Sequence, residues 1–315
     1  MDTQITQPIA GAKFSDPTRT ATGEARAQVR LERLSTLWFN TGTLCNIACV
    51  NCYIESSPRN DRLAYLSLAD VTGFLDEIAD QDLGTETIGL TGGEPFMNPE
   101  IMAILELCLA RGFKVLVLTN AMKPMAHKQA GLAALAASYP QRLTLRVSVD
   151  HYTQAGHEAV RGAGTWAPMC AGLTWLAAQP VHLYVAARLP ANEDEACLRA
   201  GFQRWFDDLG LPLDAHDPVA MMAFPEMDNN ADVPEITTAC WDILGVAPSA
   251  QMCASSRMVV KAKGAAAAHV VACTLLPYEP GFNLGASLAT ARRTVALNHR
   301  HCAKFCVLGG AACSA

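Results

Sequence analysis

Short apolar runs alternate along the chain with segments whose apolar positions recur every three or four residues. The runs LSTLWFN (34–40), TIGL (87–90), KVLVLT (114–119), LTLRVSVD (143–150), HLYVAARL (182–189) and VAMMAF (219–224) read as buried strands. Between the first two, SLADVTGFLDEIA (67–79) puts Val71, Phe74, Leu75 and Ile78 on one helical face, with Ser67 as N-cap and Asp70 in the box position. Asn98 and Pro99 open a second helix with Ile101, Ile104, Leu105 and Cys108 on one side, and Gly112 ends it. Helix-like segments follow around 127–138, 166–178 and 193–209. Strand then helix, repeated with short connections, predicts a parallel α/β sheet or barrel whose chemistry collects at the C-terminal ends of the strands.

The rhythm breaks at FPEMDNNADVPE (224–235), which reads as a linker. The chain therefore divides into a polar N-terminal segment (1–33), a core (34–225) and a smaller cysteine-rich part (226–315). Half of the 315 residues are hydrophobic and the formal net charge is −6, which supplies a sizeable core and no basic run for binding nucleic acid. No apolar stretch approaches a membrane span, and residues 1–33 carry no signal-peptide core. A cytoplasmic, reducing location is expected, where the twelve cysteines hold metal or pack as small apolar groups rather than bridge.

LCNIACVNCY (44–53) holds three cysteines, Cys45, Cys49 and Cys52, just after the first strand. Three thiolates are one short of a closed zinc site, but they can hold three irons of a [4Fe–4S] cube and leave the fourth open. On spacing alone a cluster and a zinc site stand level. Together with TGGEP at the end of the next strand, however, the triad resembles the radical S-adenosylmethionine (SAM) superfamily over about 34–224.

The resemblance implies a partial (β/α)6 TIM-like barrel and a [4Fe–4S] cluster on Cys45, Cys49 and Cys52, its fourth iron chelated by SAM. Reductive cleavage of SAM then yields a 5′-deoxyadenosyl radical that takes hydrogen from a substrate, with electrons from a flavodoxin- or ferredoxin-type donor. Gly92, Gly93, Glu94 and Pro95 match the motif that holds the SAM amino group. Thr119 and Asn120, then Ser148 and Asp150, match polar strand ends facing SAM, and Arg161 matches an arginine suited to a carboxylate. Arg188 is a further candidate for an anionic group. Locally, Asn120 and Asp150 can instead cap turns, and Arg161 and Arg188 can form surface ion pairs. Asn51 departs from the pattern, with Tyr53 as the nearby aromatic.

The cysteine-rich part resembles the auxiliary-cluster extensions, of SPASM or twitch type, that follow such cores. It implies a second [4Fe–4S] cluster on Cys253, Cys273, Cys302 and Cys306, with Cys313 as competitor and structural zinc as the rival occupant. Cys240 is left between packing and ligation. Cys108, Cys170 and Cys197 are expected in the core, and His151 and His157 in a loop. The function read from the residues is radical SAM chemistry on a small-molecule or peptide substrate. The alternative is a non-catalytic iron–sulfur or zinc protein.

Overall fold

The structure is a computed structural model and describes residues 12–190, 192–226 and 232–310. A short strand β1 (Gln28–Val29) precedes the core strands β2 (Thr36–Asn40), β3 (Thr87–Thr91), β4 (Lys114–Thr119), β5 (Leu143–Ser148), β6 (His182–Leu189) and β7 (Met221–Pro225). Each of β2 to β7 pairs in parallel with the next, so their C-terminal ends share one rim. The helices α1 (Leu68–Asp80), α2 (Ile101–Ala110), α3 (Lys123–Ala126), α4 (Gln129–Ser138), α5 (Gln154–Arg161), α6 (Trp166–Ala177) and α7 (Glu195–Leu209) form the crossovers. This is a partial α/β barrel.

Local sequence explains the elements. The Ser67 hydroxyl accepts from the Asp70 amide and the Asp70 carboxylate accepts from the Ser67 amide, a closed capping box, while Val71, Phe74, Leu75 and Ile78 are buried. The second helix starts later than its proline suggests. Pro95–Met97 forms a 3₁₀ turn, and α2 begins at Ile101 after the Asn98 side chain has accepted from the Glu100 amide at 2.8 Å. The helix expected around 127–138 is α4, and the short α3 precedes it.

Two expectations are corrected. His157 lies in α5, not in a loop, and is fully buried beside Trp166. Its helix has one buried residue in eight, too little periodicity to read; Thr153 caps it by accepting from the Gly156 amide. Cys197 is exposed, because in the first turn of α7 it is the adjacent Leu198 that faces the core.

The later chain extends the same sheet. After α8 (Cys240–Leu244), strand β8 (Ser256–Val260) pairs in parallel with β2, and β9 (His269–Val271) and β10 (Asn283–Gly285) continue outward antiparallel. The nine-stranded order is β10-β9-β8-β2-β3-β4-β5-β6-β7. A last short strand, β11 (Val295–Ala296), pairs with β1. The chain then turns through a π-helical segment, Cys302–Val307, packed by β7. The two ends of the later chain thus lie against opposite edges of the barrel. Among the described residues no helix is long and apolar enough to cross a membrane.

Candidate active site and second cysteine site

The cysteine loop leaves β2 and folds back over the glycine pair at the end of β3. The Gly93 amide donates to the Gly42 carbonyl at 2.8 Å and the Glu94 amide to the Leu44 carbonyl at 3.1 Å. A Cβ on Gly93 would stand 2.1 Å from the Leu44 oxygen, and one on Gly92, whose φ is +144°, would stand 2.4 Å from the Gly42 oxygen. The glycines are required here by the chain's own cysteine loop.

Cys45, Cys49 and Cys52 are free thiols lining one cavity of about 180 Å³ at the rim. Gly92, Gly93, Asn120, Ser148, Asp150, Arg161 and Arg188 line the same space, so most of the expected residues converge. Glu94 and Pro95 do not line it. The Glu94 carboxylate is turned back, accepting from the Thr119 hydroxyl (2.8 Å), the Asn120 amide (2.8 Å) and the Phe96 amide (3.2 Å). It braces β3 against β4 instead of facing the cavity. Asn120 directs its side-chain amide at Asn46 (2.9 Å) and, more weakly, at the Cys45 sulfur (3.8 Å).

Asp150 sits between two guanidiniums, with Arg161 Nε at 2.5 Å and Arg188 Nε at 3.2 Å. Burial opposes its ionisation, but the charges of Arg161 and Arg188 outweigh that and hold its carboxyl below the usual range. Arg188 also donates to the Val50 carbonyl at 3.1 Å, tying β6 to the cysteine loop. The partner of Arg161 and Arg188 is therefore this chain's own carboxylate, and the trio keeps one net positive charge beside Cys49.

Burial pushes the Cys45 thiol up to about 12, with Glu94, Cys49 and Cys52 adding like-charge repulsion; burial raises Cys49 too, against Arg161. Thiolates here need a cation to replace the proton, as a cluster does. Among the described residues no three His, Cys, Asp or Glu are gathered as tightly as a single metal ion requires.

Several lining residues were not singled out by pattern: Arg146, Phe224, Leu275 and Phe305. Arg146 is fully buried on β5, its guanidinium beside the Met222 sulfur and 5.9 Å from the Tyr184 ring centre. An arginine amid the apolar residues of LTLRVSVD was its only signal. Phe224 and Phe305 stack, centroids 5.1 Å apart. His151 is paired with Glu193 at 3.2 Å.

A second, apolar cavity is lined by Cys253, Cys273, Cys302 and Cys306 together with Met252, Phe282, Val295 and Leu297. Cys253 precedes β8 and Cys273 follows β9, so this hairpin brings both to the π-helical turn bearing the other two. Burial, with Cys273 and Cys253 close by, raises the Cys302 thiol well above its ordinary value. Cys313 lies outside the described residues. Cys240 lines neither cavity; its sulfur accepts from the Thr237 amide at 3.4 Å. Cys108 is fully buried in the core and Cys170 packs half-buried against it.

The profile of the radical SAM superfamily matches residues 39–189. The antilisterial bacteriocin subtilosin biosynthesis protein AlbA of Bacillus subtilis (strain 168) is 31% identical over 143 residues, 45% of this chain and 30% of that protein. The mycofactocin maturase MftC of Mycobacterium ulcerans (strain Agy99) is 31% identical over 134 residues, 42% of this chain and 34% of that protein. The matched region thus spans about a third of these relatives' length. Among solved structures, anSMEcpe with bound AdoMet superposes with a TM-score of 0.59 at 13% identity, covering 81% of this chain and 76% of that one. SuiB of Streptococcus suis bound to S-adenosylmethionine gives 0.53 at 13% identity, covering 81% and 63%.

Proposed function

This chain belongs to the radical SAM superfamily through its residues 39–189, and from that premise we propose that it is a SAM-cleaving enzyme that modifies a peptide. A [4Fe–4S] cluster would be held by Cys45, Cys49 and Cys52, and SAM would lie along Gly92, Gly93, Asn120 and Ser148. When bound, the two supply a 5′-deoxyadenosyl radical able to take hydrogen from the substrate.

One observation carries the reading: the three thiols, the glycine pair, Asn120, Ser148 and the Asp150–Arg161–Arg188 trio line a single cavity. The chain's own part is to orient and to exclude. The surplus charge of the trio suits a SAM carboxylate. Glu94 fixes the strand end from behind, and Phe224, Leu275 and Phe305 keep water off. A peptide substrate is supported by the biosynthesis and maturase roles in the relatives' names. We further assign a second cluster to Cys253, Cys273, Cys302 and Cys306, supported by their shared cavity. A low-potential flavodoxin or ferredoxin and a reducing cytoplasm complete the picture.

Anaerobically reconstituted protein given dithionite and SAM should release 5′-deoxyadenosine, and Cys49→Ala should release none. Absence of the nucleoside from the unaltered, iron-loaded chain overturns the reading. Elemental analysis should give about eight irons per chain; about four irons with one zinc would replace the second cluster by a structural ion.

A further inference from the structure

A cleft of about 290 Å³ adjoins the active cavity, and Tyr53 and Leu275 line both. Its other walls include Tyr278, His299, Arg300 and His301. Tyr278 is fixed from below, donating its hydroxyl to the Ile54 carbonyl at 2.8 Å. Arg62 covers the ring of Tyr278 with its guanidinium carbon 3.5 Å from the centroid and is ion-paired with Glu55 at 3.1 Å. Glu55, one of the acidic side chains of the cleft, is thus already neutralised. Glu279 also lines the cleft but is exposed.

Arg300 is half-buried in the wall of this cleft. Its Nη1 is buried and has no hydrogen-bond partner among the described residues. The carboxylate of Asp232, whose ionisation Arg300 favours from a distance, is held by Lys13 at 2.6 Å. A charged donor left without an acceptor is costly, more so than a lost neutral hydrogen bond. The planar fork of a guanidinium matches a carboxylate, and flanking Tyr and His rings suit the faces of peptide amides. We infer that this cleft is a substrate subsite in which Arg300 takes a carboxylate of the peptide, an acidic side chain or a free C-terminus, while the residue to be modified lies past Tyr53 in the active cavity. The inference rests on the peptide reading above and narrows it to peptides with a negative charge near the reacting residue.

Binding of short probes to the full chain, followed by calorimetry, tests this without any SAM chemistry. The probes are acetyl-Gly-Gly-Glu amide, its Gln and Lys counterparts, and acetyl-triglycine with a free carboxylate. The Glu probe or the free carboxylate should bind at least about tenfold more tightly than the Gln probe, and which of the two does so identifies the source of the carboxylate. Arg300→Gln should level that preference, Arg300→Lys should keep part of it, and Arg300→Glu should turn it toward the Lys probe. Equal binding of Glu, Gln and free-carboxylate probes, no binding of any below about 10 mM, or a preference untouched in Arg300→Gln overturns the assignment. Nucleoside release by the unaltered chain tests the proposed function separately: its absence would sink that reading, whereas the probe-binding results speak to the subsite alone.

Discussion

Glu94, accepting three hydrogen bonds in full burial, is pushed up from an ordinary 4.5 to about 7, because burial outweighs the donors of Asn120, Thr119 and Phe96. A carboxyl whose folded value is raised lends stability to its protonated form. That contribution is complete below about 4.5 and is lost as pH rises through about 7. The urea midpoint of the apo chain should therefore fall between pH 5 and pH 8, and Glu94→Gln should flatten that part of the profile. An equal fall in the variant would assign the dependence to another group. Residues of this kind were half legible. The motif Gly92-Gly93-Glu94 was visible as a close approach with an acceptor, but its partners, the Leu44 carbonyl and the Asn120 amide, come from other strand ends. Asp150, Arg161 and Arg188 likewise read one by one as caps or surface pairs; that one carboxylate holds two arginines depends on three elements meeting.

At the scale of elements, periodicity sufficed wherever an element buries a continuous face, as in α1 and β2 to β7. It failed for α5, which buries only His157, and for β8. The residues SRMVV of β8 are wholly buried, yet only pairing across some 200 positions makes them a parallel neighbour of β2. Arg257 secures that strand. Fully buried, it donates to the carbonyls of Ala291 (2.9 Å), Cys253 (2.6 Å), Ser256 (2.7 Å) and Arg293 (3.1 Å). Arg257→Met should cost about 3 kcal/mol by stranding buried acceptors, and Arg257→Lys should recover little, since a point charge does not reproduce the fork. Urea unfolding measures both; a Lys variant as stable as the unaltered chain would show that charge, not geometry, matters there.

For the molecule as a whole, residues 12–33 are more than the polar lead-in their composition suggests. The Glu235 carboxylate accepts from the Phe14 amide (2.7 Å), the Ala21 amide (2.6 Å) and buried Arg26, binding the start of the chain to its last third. Glu235→Ala should raise hydrogen exchange across 12–29 while β2 to β7 stay protected; unchanged exchange at Phe14 and Ala21 would remove Glu235 from this role. No local pattern announces a contact spanning 209 positions.

The π-helical turn Cys302–Val307 contributes to both cavities. Two of its sulfurs face the rear chamber, while Phe305, between them, forms part of the front one and stacks on Phe224. The proposed second cluster, bound at the back, would therefore bear on a wall of the front. Substrate selectivity measured on iron-poor preparations should then differ from that of fully loaded ones, since Phe305 sits between two of the proposed ligands.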